Sequence, residues 1–309
     1  MNHLYNIFIK LIDKLILPIL GLFNPKIKRF RTNRLSLIEK IKNEVSDKNN
    51  IIWFLVASLG EYEIAVPLIR LIKEKYKSKI ILTFFSESGF KLKNRIKEID
   101  YTYYLPLDTK SNAKKFLDII NPELVIFVRS EIWPNYLNEI KKRNIKSYLV
   151  ESRFNQNSRY LRGIQSIFYL KKLKIFDKIF SVDEESKNAL NRVKINNVVV
   201  SGSLKIERVK DYLEENYNNN IIKSFKGDDL CIVCGSTWKE DEKIIFKYIE
   251  ESKKEKIKWI IAPHDISKKN IERLQSILTS NYSIYSNISN NNVHGNILIL
   301  NTIGDLKSV

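Results

Sequence analysis

The chain has 309 residues, of which 44% are hydrophobic and 11% aromatic, and a formal net charge of +18. This length exceeds what one hydrophobic core usually serves, so two domains are expected, and the apolar content excludes a disordered chain. The charge favours anionic partners in general: phosphates, nucleic acid or anionic lipid. No signature of a nucleic-acid-binding module is visible, so we predict no nucleic-acid partner.

The two cysteines, Cys231 and Cys234, have the C-x-x-C spacing but lie in an apolar run that is typical of a buried strand. The sequence has no second cysteine pair, and its three histidines lack the spacing of metal ligands. We therefore predict no metal and no cofactor. Unpaired structural cysteines indicate a reducing, cytoplasmic compartment.

The segment Met1–Phe23 repeats apolar residues at helical spacing, interrupted by Lys10, Asp13 and Lys14. It is too short and too charged to span a bilayer. Two interpretations remain open: a helix lying in the membrane interface, or an amphipathic helix packed on the domain. A basic stretch that would attract anionic headgroups follows. Its residues are Lys26, Lys28, Arg29, Arg31 and Arg34.

From residue 51 onward, apolar runs of strand length alternate with amphipathic helical stretches, which predicts βαβ units and a parallel sheet with helices on both faces. The strands predicted in this half are Ile51–Ala57, Lys79–Phe85, Leu124–Val128, Lys146–Glu151, Lys178–Val182 and Val198–Ser201. The predicted helices are Tyr62–Tyr76, Lys110–Ile120 and Pro134–Lys142.

The polar, Asn-rich segment 211–228 interrupts this alternation and is predicted to be an interdomain linker. The fold class predicted is α/β with two Rossmann-like, doubly wound domains. Residues 229–309 fall short of the roughly 100 residues that such a domain needs, so the second domain is expected to be incomplete. The later elements predicted are the strands Leu230–Cys234, Lys258–Ala262 and Ile297–Leu300 and the helices Glu240–Glu255 and Lys268–Thr279.

Open α/β sheets bind ligands beyond the carboxyl ends of their strands, so the residues after each apolar run are informative. The first run leads through Ser58 and Gly60 to Glu61 at the start of a helix, where glycine permits close approach and the helix N-terminus favours an anion. A carboxylate in this first turn either offsets the helix dipole or acts as a general base toward a hydroxyl.

Charged residues also follow the later strands of the first half. Glu131 ends one strand just before Trp133 and Pro134, as a functional carboxylate or as part of a helix cap with a core tryptophan. Arg153 follows the next strand, and Lys205 follows the last one. Carboxylates and cations are thus predicted to converge on one edge of the sheet, a lining suited to an anionic sugar and a phosphate.

In the second half, Gly235, Ser236 and Thr237 precede a predicted helix and offer backbone N–H groups and hydroxyls to a phosphate, although the same residues make an ordinary N-cap. Pro263 and His264 end a later strand. The last predicted strand is followed by Ile303, Gly304 and Asp305.

In this order and spacing the segments resemble the family of 3-deoxy-D-manno-octulosonic acid (Kdo) transferases of lipid A assembly, over nearly the whole chain. The most specific parts are Ala57 to Glu61 with Ala65 to Ile69, Glu131 to Pro134, Ser152-Arg153, Gly202 to Lys205, Gly235 to Thr237, and Ala262 to His264.

The resemblance implies a GT-B architecture. Residues 41–210 would bind the lipid acceptor, residues 229–309 would form part of the CMP-Kdo domain, and residues 1–40 would attach the protein to the cytoplasmic face of the inner membrane. It implies that Glu61 is the proton acceptor and that Glu131 and Lys205 support the transition state. The residues implied or predicted to contact substrate or CMP are Ser58, Gly60, Arg153, Gly235, Ser236, Thr237, Pro263, His264, Ile303, Gly304 and Asp305.

Three departures from the family pattern are visible. Arg129 stands where the family commonly has a second acidic residue, and His264 stands where many members have arginine. The family's later glycine-rich turn, with an Asn and a Glu that hold the nucleotide, has no match in this sequence.

The implied reaction moves Kdo from CMP-Kdo to a hydroxyl of the lipid A precursor (lipid IVA), with inversion at the anomeric carbon. One alternative is an inactive remnant whose first domain still binds the acceptor lipid. A nucleic-acid binder driven by the charge ranks below both, and its affinity would fall steeply with salt.

Overall fold

The computed structural model describes residues 2–46, 49–90, 98–158, 160–163, 166–214, 219–251, 256–278, 281–289 and 293–309. The chain forms two compact units, Met1–Asp211 and Tyr212–Val309. In the described ranges, no helix combines the length and the apolar character needed to cross a membrane.

The first unit is built on a seven-stranded parallel sheet in the order β3-β2-β1-β4-β5-β6-β7. The chain winds outward from β1 through β2 to β3, returns to β4 beside β1, and winds outward in the opposite direction. The strands are β1 (Ile51–Val56), β2 (Lys79–Phe84), β3 (Tyr101–Tyr104), β4 (Leu124–Val128), β5 (Lys146–Ser152), β6 (Lys178–Ser181) and β7 (Val198–Val200).

Helices precede, connect and follow these strands. They are α1 (Asn2–Leu11), which continues through a π-helical turn (Ile12–Ile16) into α2 (Leu17–Phe23), then α3 (Pro25–Thr32), α4 (Leu37–Glu44), α5 (Leu59–Lys75), α6 (Glu87–Phe90), α7 (Lys110–Ile120), α8 (Pro134–Lys142), α9 (Ser166–Leu173), α10 (Glu184–Arg192) and α11 (Leu204–Glu214).

The core of the first unit lies on both faces of the sheet. Successive residues of β1 alternate between the two core clusters: Trp53 packs with α7 and α8, whereas Phe54 packs with α5. Every residue of β1 is buried, as expected for a central parallel strand. The predicted βαβ architecture is therefore confirmed.

The N-terminal helices present a broad apolar surface to solvent, although α1 also contacts the unit. Tyr5 stacks against Phe168 at 5.7 Å between ring centroids, and Asn6 is buried. The apolar ridge, as we call this surface, is at least 44% exposed at every position. It consists of Leu4, Ile7, Phe8, Leu11, Leu15, Ile19, Leu20, Leu22 and Phe23.

The basic stretch that follows is divided between solvent and protein. Lys26, Lys28 and Arg31 are exposed. Arg34 instead donates hydrogen bonds to the carbonyl oxygens of Phe30, Leu105 and Phe85 and lies 3.7 Å from the Phe30 ring centroid. The prediction that Arg34 faces headgroups was wrong, because its guanidinium satisfies buried carbonyls.

A buried carboxylate, Asp108, ties α1 to the domain. It accepts hydrogen bonds from the Tyr5 hydroxyl at 2.6 Å and from the backbone N–H groups of Asn135 and Tyr136 at 3.1 and 3.0 Å. Burial raises the pKa of Asp108 to about 7, and these three donors oppose the rise. One side chain thereby fixes both the start of α8 and the position of α1.

A groove of about 930 Å³ runs along the α5 face of β1, β4, β5 and β6. Ile126, Tyr148, Val150 and Phe180 supply much of its apolar floor, and Leu204 borders it. Glu61 and Glu131 are not among its lining residues, whereas Glu151 and Leu204, at the ends of later strands, are.

The second unit is built on a four-stranded parallel sheet in the order β10-β11-β9-β8. Its strands are β8 (Leu230–Thr237), β9 (Ile257–Pro263), β10 (Tyr282–Ile284) and β11 (Ile297–Ile299). Its helices are α12 (Asn220–Lys226), α13 (Lys239–Glu251) and α14 (Lys268–Ile277), with short 3-10 turns at Tyr285–Asn287 and Asp305–Ser308.

The predicted linker 211–228 is not uniformly a linker. Its residues 220–226 form α12, whose Ile222 and Phe225 are buried against Ile260 and Leu298. The linker prediction was wrong for these residues because two apolar side chains in a polar, Asn-rich stretch are enough to dock one short helix.

Cys231 and Cys234 lie on β8 as free thiols. Cys231 packs with Phe225 and Ile260 on one side of the sheet and Cys234 with Trp259 and Ile261 on the other. Burial raises the pKa of both thiols. The predicted strand placement is confirmed, with the two side chains on opposite faces.

We expect Tyr5→Phe to lower the free energy of unfolding by about 0.5–1.5 kcal/mol, because it removes one hydrogen bond to Asp108 and keeps the ring. Urea denaturation of the full chain measures the change. Tyr76→Phe is the control, since Tyr76, directly after α5, is 55% exposed. Equal stability of Tyr5→Phe and the wild type would show that the Tyr5–Asp108 contact does not anchor α1.

Candidate active site

The reversal of winding between β1 and β4 creates a crevice at the carboxyl edge of the first sheet. β1 pairs with β2 on one side and with β4 on the other, so the connections that leave β1 and β4 diverge. In open α/β sheets this switch point is where ligands bind. Glu61 and Glu131 both lie there, three to five residues beyond their strands.

Glu61 occupies the first turn of α5 and folds back onto the residues before the helix. Its carboxylate accepts hydrogen bonds from the backbone N–H groups of Ala57 and Ser58. This is half of a capping box, which holds the side chain in one orientation. Burial raises the pKa of Glu61, while the two N–H groups and the positive charge of Arg129 oppose the rise.

Glu131 lies in the turn between β4 and α8 and has lost much of its contact with water. Burial, followed by the negative charge of Glu61, raises its pKa to about 7. The indole N–H of Trp133 donates to Glu131 Oε2 at 2.7 Å, and the Trp133 ring contacts Phe85 at 4.8 Å between centroids. Trp133 therefore serves to orient this carboxylate as well as to pack.

Arg129 completes this group from the end of β4. It has a left-handed backbone, with φ of 67°, while its N–H donates to the Val150 carbonyl at 2.8 Å. The side chain is half-buried, and its charge acts on Glu61. The structure thus brings together the two predicted carboxylates and an arginine that the motif reading noted only as a departure.

The next strand ends place Glu151, Arg153 and Lys205 at the same edge. Glu151, 2% exposed with φ of 54°, accepts hydrogen bonds from Ser203 Oγ at 2.7 Å and from the Leu204 N–H at 2.8 Å. These bonds fix the turn that carries Lys205, whose side chain is exposed. Arg153 reaches Asp183 at 3.9 Å.

In the second unit, Gly235, Ser236 and Thr237 belong to β8 and do not open a helix. They pair with β9 through a bulge, Ser236 has a left-handed φ of 57°, and α13 begins only at Lys239. Thr237 is buried, and its hydroxyl donates to Glu242 at 3.2 Å. The strand therefore extends to Thr237, beyond the predicted end at Cys234, because β9 offers a partner strand to the whole Gly-Ser-Thr segment, and the helix predicted after these residues is present as α13.

The remaining predicted residues of this unit lie around the same strand ends. His264 stacks on Trp238 with ring centroids 4.2 Å apart, and its N–H donates to the Thr237 carbonyl at 2.9 Å. Pro263 is buried, and Ile303 is 63% exposed. The segment with Gly304 and Asp305 comes close to β8, since a Cβ on Gly235 would meet Leu306 at 3.3 Å.

Sequence reasoning missed Arg129 and the anchoring residue Asp108. Arg129 carried a signal, because charge directly after an apolar strand is uncommon in a core. Asp108 precedes Thr109, which caps α7, and so looks like part of an ordinary helix start. Within the described ranges, no group of three or more His, Cys, Asp or Glu could hold a metal ion.

Comparisons with known proteins identify the family of the chain. A family model described as 3-deoxy-D-manno-octulosonic-acid transferase (kdotransferase) matches residues 29–208, more than half of the chain and including Glu61, Arg129, Glu131 and Lys205. A bifunctional glycosyltransferase/methyltransferase of Fusobacterium nucleatum is 26% identical over 99% of this chain and 48% of its own length. A 3-deoxy-D-manno-octulosonic acid transferase of Rickettsia conorii is 29% identical over 77% of this chain and 51% of its own length.

The chain thus spans about half the length of these curated relatives. Among solved structures, UDP-GlcNAc 2-epimerase from Neisseria meningitidis superposes with a TM-score of 0.58 and 16% identity, over 83% of this chain and 73% of that one. S. aureus MnaA superposes with a TM-score of 0.57 and 16% identity, over 81% of this chain and 69% of that one. This likeness concerns the fold alone, and it agrees with the predicted GT-B-like class of two Rossmann-like units.

We expect Glu131→Gln to stabilise the chain at alkaline pH. The folded pKa of Glu131, about 7, lies above its ordinary value of 4.5, so ionising Glu131 destabilises the fold as pH rises between these values. The gain should be absent below pH 4.5 and reach up to about 3 kcal/mol above pH 7. Chemical denaturation at pH 4.5, 6 and 8 measures it, and a gain that does not depend on pH would refute the raised pKa.

Proposed function

The chain belongs to the family of 3-deoxy-D-manno-octulosonic-acid transferases, and from this premise we propose that it transfers Kdo from CMP-Kdo to a hydroxyl of the lipid A precursor lipid IVA. In this proposal the first unit binds the acceptor and the second unit binds the donor. The observation that carries it is the pair of partly buried carboxylates, Glu61 and Glu131, at the switch point of the first sheet.

Glu61 is the proposed general base. The acceptor oxygen bonds to the anomeric carbon, the bond from that carbon to the CMP phosphate breaks, and CMP leaves with the electron pair. The hydroxyl proton passes to Glu61, and attack from the face opposite CMP inverts the configuration. The backbone donors at Ala57 and Ser58 and the charge of Arg129 favour an ionised Glu61, as a base requires.

Glu131 and Lys205 are the proposed supports of the transition state. Positive charge develops on the donor sugar ring and negative charge on the leaving phosphate, so a carboxylate and an ammonium are suited to opposite ends of the reacting centre. Lys205 has an exposed side chain on a turn fixed by Glu151. Ser58, Gly60 and Arg153 complete the proposed substrate contacts of this unit, with Arg153 as a candidate for the Kdo carboxylate.

The proposed CMP contacts lie at the strand ends of the second unit. Gly235, Ser236 and Pro263 flank the Trp238–His264 stack, which offers a ring face. Ile303, Gly304 and Asp305 lie on the segment that approaches Gly235. Thr237 Oγ1 is engaged with Glu242, so its hydroxyl can contact a phosphate only after exchanging that partner.

Attachment to the cytoplasmic face of the inner membrane through the N-terminal region is part of the proposal. The apolar ridge exposes Leu22 to 79% and Phe23 to 80%, and Lys26, Lys28 and Arg31 follow it on α3. An exposed apolar surface beside cations is suited to a bilayer with anionic headgroups. An acylated acceptor would be met at that surface.

We expect Glu61→Gln to lower kcat for transfer by about 10²- to 10⁴-fold, because Gln keeps the shape and cannot take the proton. CMP release and lipid mass, followed with CMP-Kdo and the lipid A precursor, measure it. Glu74→Gln, on an exposed turn of the same helix, is the control. Near wild-type turnover of Glu61→Gln would remove Glu61 from the mechanism. Acceptor binding without turnover by the wild type would favour the alternative of an inactive acceptor-binding remnant.

We expect Phe8→Ser/Phe23→Ser to reduce sedimentation with vesicles that contain anionic lipid at least tenfold, because each change removes an exposed apolar side chain worth about 1.5–3 kcal/mol on burial. Folding should be unaffected, since both side chains are more than half exposed. Ile244→Ser on α13, 72% exposed, is the control. Undiminished sedimentation of the double variant would exclude the ridge as the membrane contact.

A further inference from the structure

Arg129 differs from the other arginines of the described residues that are at least half-buried. Each of those donates hydrogen bonds to a carboxylate or carbonyl oxygen. They are Arg34, Arg70, Arg143, Arg208 and Arg273. Among the described residues, the guanidinium of Arg129 has no hydrogen bond and no ion pair, and its one electrostatic interaction is with Glu61. Its five N–H donors therefore have no protein acceptor among the described residues.

The backbone of Arg129 has the left-handed conformation, with φ of 67°. A left-handed conformation costs a residue with a Cβ about 1 kcal/mol or more. Glu151 on the neighbouring strand has the same left-handed conformation. Its role there is visible, because the carboxylate accepts hydrogen bonds from Ser203 and Leu204. The matching turn at Arg129 places a cation whose charge acts on Glu61, and its donors have no protein acceptor among the described residues.

Glu61 accepts no hydrogen bond from the guanidinium of Arg129. Its carboxylate already accepts the N–H groups of Ala57 and Ser58, so Arg129 acts on it only through space. Arg153, the other arginine of this edge, has Asp183 at 3.9 Å and is 56% exposed. Arg129 is therefore the less exposed of the two cations and the one without a protein acceptor among the described residues. A planar guanidinium binds carboxylate or phosphate with two parallel hydrogen bonds.

We infer that Arg129 binds an oxyanion of one of the two substrates that react beside Glu61, and so selects for a ligand that carries a carboxylate or phosphate near the reacting centre. This inference rests on the proposed function. The oxyanion has two possible sources: the carboxylate of the transferred sugar acid, or a phosphate on the acceptor disaccharide. In either case Arg129 is a binding residue, and it holds the ligand against the base.

Calorimetric titration of the full chain separates these sources without requiring turnover. The two probes are free Kdo, which carries only the carboxylate, and the deacylated disaccharide bisphosphate, which carries only phosphates. We expect Arg129→Gln to weaken binding of one probe about tenfold or more, which is about 1.4 kcal/mol. Arg129→Lys should fall between Arg129→Gln and the wild type, because an ammonium lacks the planar fork.

Two further variants serve as controls for the lost charge and for the backbone conformation. Lys115→Gln removes one positive charge from an exposed position on α7 and should bind both probes as the wild type does. Arg129→Asn also removes the guanidinium, and it suits the left-handed backbone, so a loss shared with Arg129→Gln cannot come from backbone misfolding. Wild-type affinity of Arg129→Gln for both probes, or no binding of either probe by the wild type, overturns the inference. If the chain binds a probe in a way that depends on Arg129 but transfers no sugar, the proposed reaction is wrong and the inference about Arg129 stands.

Discussion

Glu61 and Glu131 bring two carboxylates into one partly buried edge of the first sheet, and much of the surrounding structure holds them there. The pairing of β1 with β4 makes the closeness unavoidable, because the segments that leave these strands begin side by side. Burial, followed by the repulsion of the like charge on Glu61, raises the pKa of Glu131 to about 7. Backbone N–H groups and Arg129 compensate Glu61 in part, whereas the Trp133 indole is the group that compensates Glu131.

Each supporting contact restricts motion in this crevice. The capping arrangement of Glu61 fixes its side chain on α5, and the Trp133 indole fixes Glu131 while packing on Phe85. The Glu151 carboxylate has a positioning role, because it accepts hydrogen bonds from the turn that precedes Lys205. Arg129 and Glu151 have left-handed backbones at the ends of β4 and β5, where substrates are proposed to bind. Stability is thus given up locally for a preorganised, charged edge.

The sequence alone predicted the elements whose pattern is strong. Continuous apolar runs such as β1 are buried on both faces, and their ends identified Glu61 and Glu131 before any geometry was known. Prediction from the sequence failed where the local residue pattern is weak or where tertiary contacts decide the secondary structure. The Tyr-Thr-Tyr-Tyr run of β3 is too short to stand out, and α12 shows only two buried apolar residues. Gly235 to Thr237 could cap a helix equally well, and only the presence of β9 makes them a strand.

A carbon-13 NMR titration of the glutamate side chains in the full chain, with Glu131→Gln used to assign the Glu131 signal, tests the coupled pair most directly. The Glu131 signal should titrate near pH 7 in the wild type. In Glu61→Gln the midpoint should fall but stay above 4.5, because burial remains after the neighbouring charge is gone. A midpoint near 4.5 in the wild type, or one that does not move in Glu61→Gln, would show that the two carboxylates do not share this edge.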